Sequence, residues 1–166
     1  MMYTKDLGLE KQISHQEDLD FVSPELNMKL KGVLNIYFDL KNELVAANLK
    51  NAIELVLQLT KKLELIKFNT LDNDLRINLE EALKSLADIK KENSVESCRL
   101  LFKNLSKNFI FLASRMNGYD KPIYVQHCPM ADNNSGADWL SLEKAIKNPY
   151  FGDKMLTCGS VVRIID

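Results

Sequence analysis

The 166-residue sequence has few of the features that mark a membrane protein, a disulfide scaffold or a nucleic-acid binder. No apolar run approaches the roughly 18 residues that a membrane-spanning helix needs. The net charge of −1 excludes the broad positive surface expected of a nucleic-acid binder. Three cysteines are too few for a disulfide scaffold, and one thiol is left over if two of them pair. The first residues lack the apolar centre of a secretory signal, so a cytoplasmic location stays open.

Recognisable catalytic motifs are also missing. The sequence contains no Gly-rich phosphate loop, no Ser-His-Asp set and no His-Glu-x-x-His motif. A nucleophilic Cys-His dyad is poorly supported, because one of the two histidines, His127, adjoins its own cysteine in the chain and the other lies near the start. We therefore expect a protein that is not an enzyme.

Apolar residues recur at spacings of three and four over most of the first 116 residues, which is the pattern of amphipathic helices. Three of these stretches start with a serine or threonine, which are good N-caps. The predicted helices cover about residues 23–44, 48–67, 70–89 and 94–116, with Ser23, Thr70 and Ser94 as N-caps. Four helices of this length with short links predict an all-α fold, an antiparallel four-helix bundle.

The character of the sequence changes after Gly118, where prolines, glycines and turn residues collect. Within this part residues 123–125 are β-prone, and Ser141 is expected to cap a short helix that ends near Lys147. We expect an irregular C-terminal loop segment, packed on the bundle, that carries the function. The predicted organisation is a leader or linker at residues 1–22, followed by one domain at 23–166 whose candidate metal-binding segment covers about 122–160.

Four sulfur-bearing residues lie in this segment, in two short groups. Cys128 and Met130 are two residues apart, so in an extended chain they project to the same side. Met155 and Cys158 are three apart, which suits a turn. Thiolates and thioethers are soft donors that favour Cu(I) and similar ions, whereas the spacing is not that of a structural zinc site. His127 is a further candidate ligand, although neighbours in a strand point to opposite faces.

Spacing alone leaves three interpretations open for these sulfurs. They could bind a soft metal, Cys128 and Cys158 could form a disulfide, or the thiols could simply be buried. A shared site predicts that the Cys128 and Cys158 sulfurs lie within roughly 7 Å of each other in a metal-free protein, given metal–sulfur bonds of about 2.3 Å. Cys98 occupies a core position of the fourth predicted helix, and we expect it to pack there as a small apolar residue.

Three stretches of this segment resemble a known protein family. They are residues 124–131 (YVQHCPMA), 136–141 (GADWLS) and 148–159 (NPYFGDKMLTCG). The family is a bacterial domain of unknown function, common in Bacteroidetes. It occurs as small secreted proteins and at the C-terminus of periplasmic adaptor subunits of heavy-metal efflux pumps. Over the helices only the pattern agrees, most closely at residues 37–46.

The resemblance implies a helical bundle that bears a copper or other heavy-metal site. The family's sulfur positions correspond to Cys128, Met130, Met155 and Cys158, and His127 matches as well. A copper ion is the implied cofactor, with zinc or another thiophilic ion as an alternative. An efflux adaptor or another envelope metal-handling protein is the implied partner, and the periplasm or cell envelope the implied location. The competing prediction is a disulfide-stapled helical interaction module without metal.

Overall fold

The computed structural model describes residues 21–166, so the predicted leader at residues 1–22 lies almost wholly outside the described part. Four long helices come first, and the C-terminal part contains three strands with short helical turns between them. The helices are α1 (Pro24–Val45), α2 (Leu49–Glu64), α3 (Asn73–Lys90) and α4 (Val95–Arg115). The strands are β1 (Ile123–Cys128), β2 (Ala137–Ser141) and β3 (Ser160–Ile165). Within residues 21–166 no helix is both long and apolar enough to cross a membrane.

Side-chain caps fix where the helices begin. The Ser23 hydroxyl accepts a hydrogen bond from the backbone of α1, and Ser94 caps α4 in the same way, as predicted. Thr70 was predicted to begin the third helix, and that prediction is wrong. Thr70 ends a short 3₁₀ turn, and Asp72 is the N-cap of α3. A carboxylate is favoured at that position because it also faces the positive end of the helix dipole.

The apolar faces of the helices meet in one core. Each helix contacts the next along the chain, and α1 also contacts α4, so the four helices enclose their leucine-rich faces. The largest wholly buried side chains of the helices include Tyr37, Phe102 and Phe109, and the rings of Phe102 and Phe109 each stack on Tyr37. This mostly helical, bundle-like fold is the one that the periodicity predicts.

The C-terminal segment differs from the irregular loop that the sequence predicts. It contains a three-stranded antiparallel sheet in the order β2–β1–β3, with β2 packed against α4. The β-prone residues 123–125 do lie in a strand. The predicted helix at 141–147 is wrong, because Ser141 ends β2 and bends follow it. The buried Gln126 amide donates to the Glu143 carbonyl at 2.8 Å, which holds that backbone in a non-helical path.

A buried hydroxyl network joins the sheet to the helices. The Tyr37 hydroxyl lies 2.7 Å from the Ser106 hydroxyl, and the Leu140 backbone N–H donates to Tyr37 at 3.1 Å. Burial raises the pKa of Tyr37, so it stays protonated. The network gives the N–H of a fully buried strand residue a partner from α1, and thereby fixes where the sheet sits on the helices.

Replacing Tyr37 by phenylalanine is expected to lower the free energy of unfolding by about 1–3 kcal/mol, because the Leu140 N–H would be left buried without a partner. Urea unfolding followed by circular dichroism measures the change. Tyr124→Phe is the matched control, since the Tyr124 hydroxyl makes no hydrogen bond within residues 21–166, and it should change stability by less than about 0.5 kcal/mol. Equal losses in the two variants would contradict the role assigned to the network.

Candidate metal centre

The antiparallel pairing of β1 with β3 brings Cys128 and Cys158 together. Cys128 is the last residue of β1, and Cys158 lies two residues before β3 begins. Their sulfur atoms are 3.1 Å apart, and both residues are free thiols. The separation lies well inside the roughly 7 Å expected of a shared metal-free site. Cys128 is fully buried and Cys158 is half-buried, so the pair is reached from the Cys158 side.

The two thiols share one hydrogen bond, which affects the pKa of Cys158. The contact with the Cys128 thiol raises the pKa of Cys158, and partial desolvation acts in the same direction. A backbone hydrogen bond from Met130 acts in the opposite direction, because an N–H donor favours the thiolate. A metal ion that binds here must therefore displace protons, and its affinity should rise with pH.

Asn148 holds the loop that carries Cys158, and sequence reasoning did not find it. The side chain is fully buried and donates to the Cys158 carbonyl at 2.8 Å. Its amide oxygen accepts from the backbone of Tyr150 at 2.8 Å, and its own backbone N–H donates to Leu156. Asn148 thus fixes both ends of the loop between residues 148 and 158. The only sequence signal was an asparagine directly before Pro149, which is typical of turns.

Met130 and Met155 both line a single pocket of about 510 Å³. Met130 is 47% exposed, and Met155 is half-buried. The Met130 N–H bonds to Cys158, whose own N–H donates to the Met155 carbonyl at 3.1 Å. Backbone contacts therefore hold Met130 and Met155 close to Cys158, and the thiol contact adds Cys128 to the group.

His127 lies apart from the sulfur residues, on the opposite face of β1 from Cys128. Its Nδ1 is 2.6 Å from the Asp138 carboxylate, directly across the sheet on β2. The ring also packs on Gly136, where an added Cβ would lie 2.9 Å from the imidazole. Within residues 21–166 no group of three or more His, Cys, Asp or Glu residues could hold a metal, so a site at the two thiols would need the methionine thioethers as further ligands.

Cys98 is separate from this site. It lies in α4 with none of its surface exposed, and burial raises the pKa of its thiol. The predicted core position is confirmed. Cys98 is thus a suitable internal control for experiments on the other two thiols.

The backbone shortly after Met130 forms a left-handed turn, within a stretch where the sequence already indicates a turn. Asp132, Asn133 and Asn134 all have positive φ values, of 52°, 53° and 65°. Asp and Asn tolerate this conformation better than other non-glycine residues, which was the available signal. The Asp132 carboxylate forms an ion pair with Lys103 at 2.7 Å, which ties the turn to α4.

The helices carry the similarity to a known family. A family model described as "Protein of unknown function (DUF3347)" matches residues 33–121, which is more than half of the chain. The match begins within α1 and ends before β1, so the sulfur-bearing segment lies beyond it. No curated protein and no solved structure matches the chain. The chain therefore belongs to the DUF3347 family of proteins of unknown function.

Proposed function

We propose that this protein binds one soft metal ion, with Cu(I) as the preferred ion, through the thiolates of Cys128 and Cys158. It would store the ion or transfer it to another protein without catalysing a reaction. The observation that carries the proposal is the 3.1 Å approach of two free thiols from opposite ends of a 30-residue segment. Two thiolates supply the charge and covalency that a soft cation requires. The up-and-down four-helix bundle that we infer for α1–α4 would serve as the rigid support for the site.

Met130 and Met155 would act as neutral thioether ligands. Such donors add affinity without further negative charge, and an exposed thioether is a reasonable first contact for an incoming ion. Met130 suits that role, because it is half-exposed on a pocket open to solvent while Cys128 is fully buried. Zinc is the weaker choice, since it would want nitrogen or further thiolate ligands beyond this pair. His127 would support the site from the opposite face of β1, not as a ligand but through its bond to Asp138.

The cellular setting is proposed from the resemblance of the C-terminal segment. A location in the periplasm or cell envelope, and a partnership with an efflux adaptor or another envelope metal-handling protein, would fit a domain that passes Cu(I) onward. The separation of the family match from the sulfur segment fits a helical platform with an added binding segment.

A second candidate function draws on the same contact. Two thiols at 3.1 Å could be oxidised to a disulfide, which would close a 30-residue loop. The bond would then staple the C-terminal segment of a helical interaction module, and no metal would bind.

Mass spectrometry of the intact protein separates the two functions. The metal proposal expects a reduced protein that takes up one Cu(I) per chain under native conditions. The staple expects a protein that, before reduction, is about 2 Da lighter than its fully reduced mass because two thiol hydrogens are lost, and that is inert to Cu(I). A reduced protein that takes up no Cu(I) in the presence of a weak Cu(I) buffer would refute the metal proposal.

A further inference from the structure

The pocket lined by Met130 and Met155 contains a buried cation whose charge no carboxylate balances directly. The Arg99 side chain, from α4, lies against this pocket, and the residue is only 8% exposed. Its Nε and Nη2 donate to the Leu44 carbonyl at 3.2 and 2.6 Å, at the end of α1. Within residues 21–166 no carboxylate lies at ion-pair distance from this guanidinium.

Part of the guanidinium stays available to a ligand. Nη1 has no hydrogen-bond partner in the described part of the chain, and it is not among the buried polar atoms that lack one, so solvent reaches it. Gly152 packs on the other side, where an added Cβ would collide with Nη2. The φ value of +55° at Gly152 also favours glycine. The arginine is thus fixed in place with one donor group open.

The residues that line the pocket carry one positive charge more than they carry negative charges. Lys103 is paired with Asp132 on the rim, which cancels both. Among the lining residues, Glu96 is then the acidic side chain that faces Arg99 and Lys154, while Asp153, outside the lining, also acts electrostatically on Arg99. The two hydrogen bonds to Leu44 lower the cost of burying Arg99, and an anion at the open side of the guanidinium would lower it further. A ligand with a single negative charge would therefore be complementary to this lining.

The rest of the lining is mainly apolar. Its members are Leu100 and Met130, both substantially exposed, together with Met155 and the rings of Tyr150 and Phe151. The volume of about 510 Å³ lies within the range of small-molecule sites. An apolar wall with one fixed guanidinium matches a molecule that has an apolar body and one carboxylate.

We propose that this pocket binds a small organic acid, with the carboxylate at the open side of Arg99 and the apolar body against Leu100, Phe151 and the methionines. The site is distinct from the thiol pair, and its occupancy requires no metal. An acid bound there would contact Met130 and Met155, the two thioethers that the proposed metal site would use.

The test uses reduced, metal-free protein and 4-phenylbutanoate as the probe, followed by ¹H–¹⁵N NMR. Binding with a Kd of about 1 mM or tighter is expected, the range typical of a ligand of about a dozen heavy atoms. The backbone signals of Leu100, Asn133 and Lys154 should shift. The uncharged 4-phenylbutanol should bind at least about tenfold more weakly, because it cannot form the charge-assisted bond.

Two substitutions connect the binding to this pocket. Leu100→Asp places a carboxylate in the wall at an exposed position, so it should fold normally and weaken binding about fivefold or more. Ile77→Asp makes the same change at an exposed position on α3 and should have no effect. Arg99→Met should weaken binding about tenfold where the variant folds. Equal binding of acid and alcohol, no binding at 20-fold the expected Kd, or equal behaviour of the two Asp variants would overturn the proposal.

Discussion

Replacing Cys128 or Cys158 by serine is expected to weaken Cu(I) binding about 100-fold or more. Under the metal proposal, each change would remove one of the two thiolates that share the ion, since the two thiols lie 3.1 Å apart. Loss of an outer-shell partner alone typically costs 10–100-fold in metal affinity, and loss of a ligand should exceed that. Competition with a chromogenic Cu(I) chelator measures the affinity of each variant under reducing conditions.

Cys98→Ser is the matched control, because it makes the same chemical change at a buried thiol on α4. It should leave Cu(I) affinity unchanged, although the buried hydroxyl will cost some stability. Met130→Leu should weaken Cu(I) binding by less than Cys128→Ser or Cys158→Ser does, since a thioether contributes no charge. A larger effect of Cys98→Ser than of Cys128→Ser would show that the site has been assigned to the wrong sulfurs.

The staple hypothesis expects a different outcome from the same variants. Cys128→Ser and Cys158→Ser would then remove the same bond and lower the free energy of unfolding equally, by about 2–4 kcal/mol for a loop of this length. Neither change would affect metal binding, because under this hypothesis the protein binds no metal. Unfolding and Cu(I) competition, measured on the same samples, therefore separate the two functions even where both variants are less stable.

The helices could be predicted because their signals are local. Spacings of three and four identify the buried faces, and Ser23 and Ser94 mark two of the starts. The third start was misplaced by two residues, since Thr70 and Asp72 are both good caps and only tertiary packing chooses between them. Periodicity identifies an element more reliably than it locates the element's end.

The C-terminal sheet was harder to predict because its strands are short and its contacts are long-range. The fragment 137–141 pairs with β1 only through tertiary structure, and the run at 160–165 is exposed on most of its length. The predicted helix at 141–147 failed for a similar reason. Gln126, from another strand, bonds to carbonyls that a helix would have used. No local rule anticipates that competition.

The candidate site was predictable as a set of residue types and not as a geometry. Sulfur donors in two short groups identified the residues, and antiparallel strand pairing then placed the two thiols in contact. Arg99 and Asn148 gave no comparable signal. Arg99 owes its role to its bond with Leu44, which is distant in the chain. Asn148 owes its role to its bond with Cys158, which only the folded loop brings within reach.

Lys41→Met is expected to raise the free energy of unfolding at pH 7 by about 3 kcal/mol. Lys41 lies on α1 and is only 3% exposed, and no ion pair to it exists within residues 21–166. Burial lowers its pKa from 10.5 to about 8, because the interior disfavours the charged amine. The carboxylate of Glu143 raises the pKa of Lys41 and so opposes the effect of burial, but that carboxylate already pairs with Lys147 at 2.9 Å. Each pKa unit corresponds to about 1.4 kcal/mol.

The stability gained from Lys41→Met should depend on pH, because the pKa of Lys41 is lower in the folded chain than in the unfolded chain. Below pH 8 both folded and unfolded chains carry the proton, so the cost of the buried charge is fully present. Between pH 8 and 10.5 the unfolded chain keeps the proton on Lys41 while the folded chain loses it. The free energy of unfolding of the wild type therefore rises with pH in this range. The advantage of Lys41→Met should therefore shrink from about 3 kcal/mol at pH 7 to less than about 1 kcal/mol at pH 10.

Urea unfolding of both proteins at pH 7 and pH 10 measures the difference directly. Ionisation of tyrosines destabilises the fold at high pH, since burial raises the pKa of Tyr37 and Tyr150, but it affects both proteins alike and cancels in the comparison. Lys50→Met, at an exposed position on α2, is the control and should change little at either pH. An equal gain from Lys41→Met at both pH values would attribute the effect to packing of the methionine. No gain at pH 7 would show that the buried ammonium is not a cost to the fold.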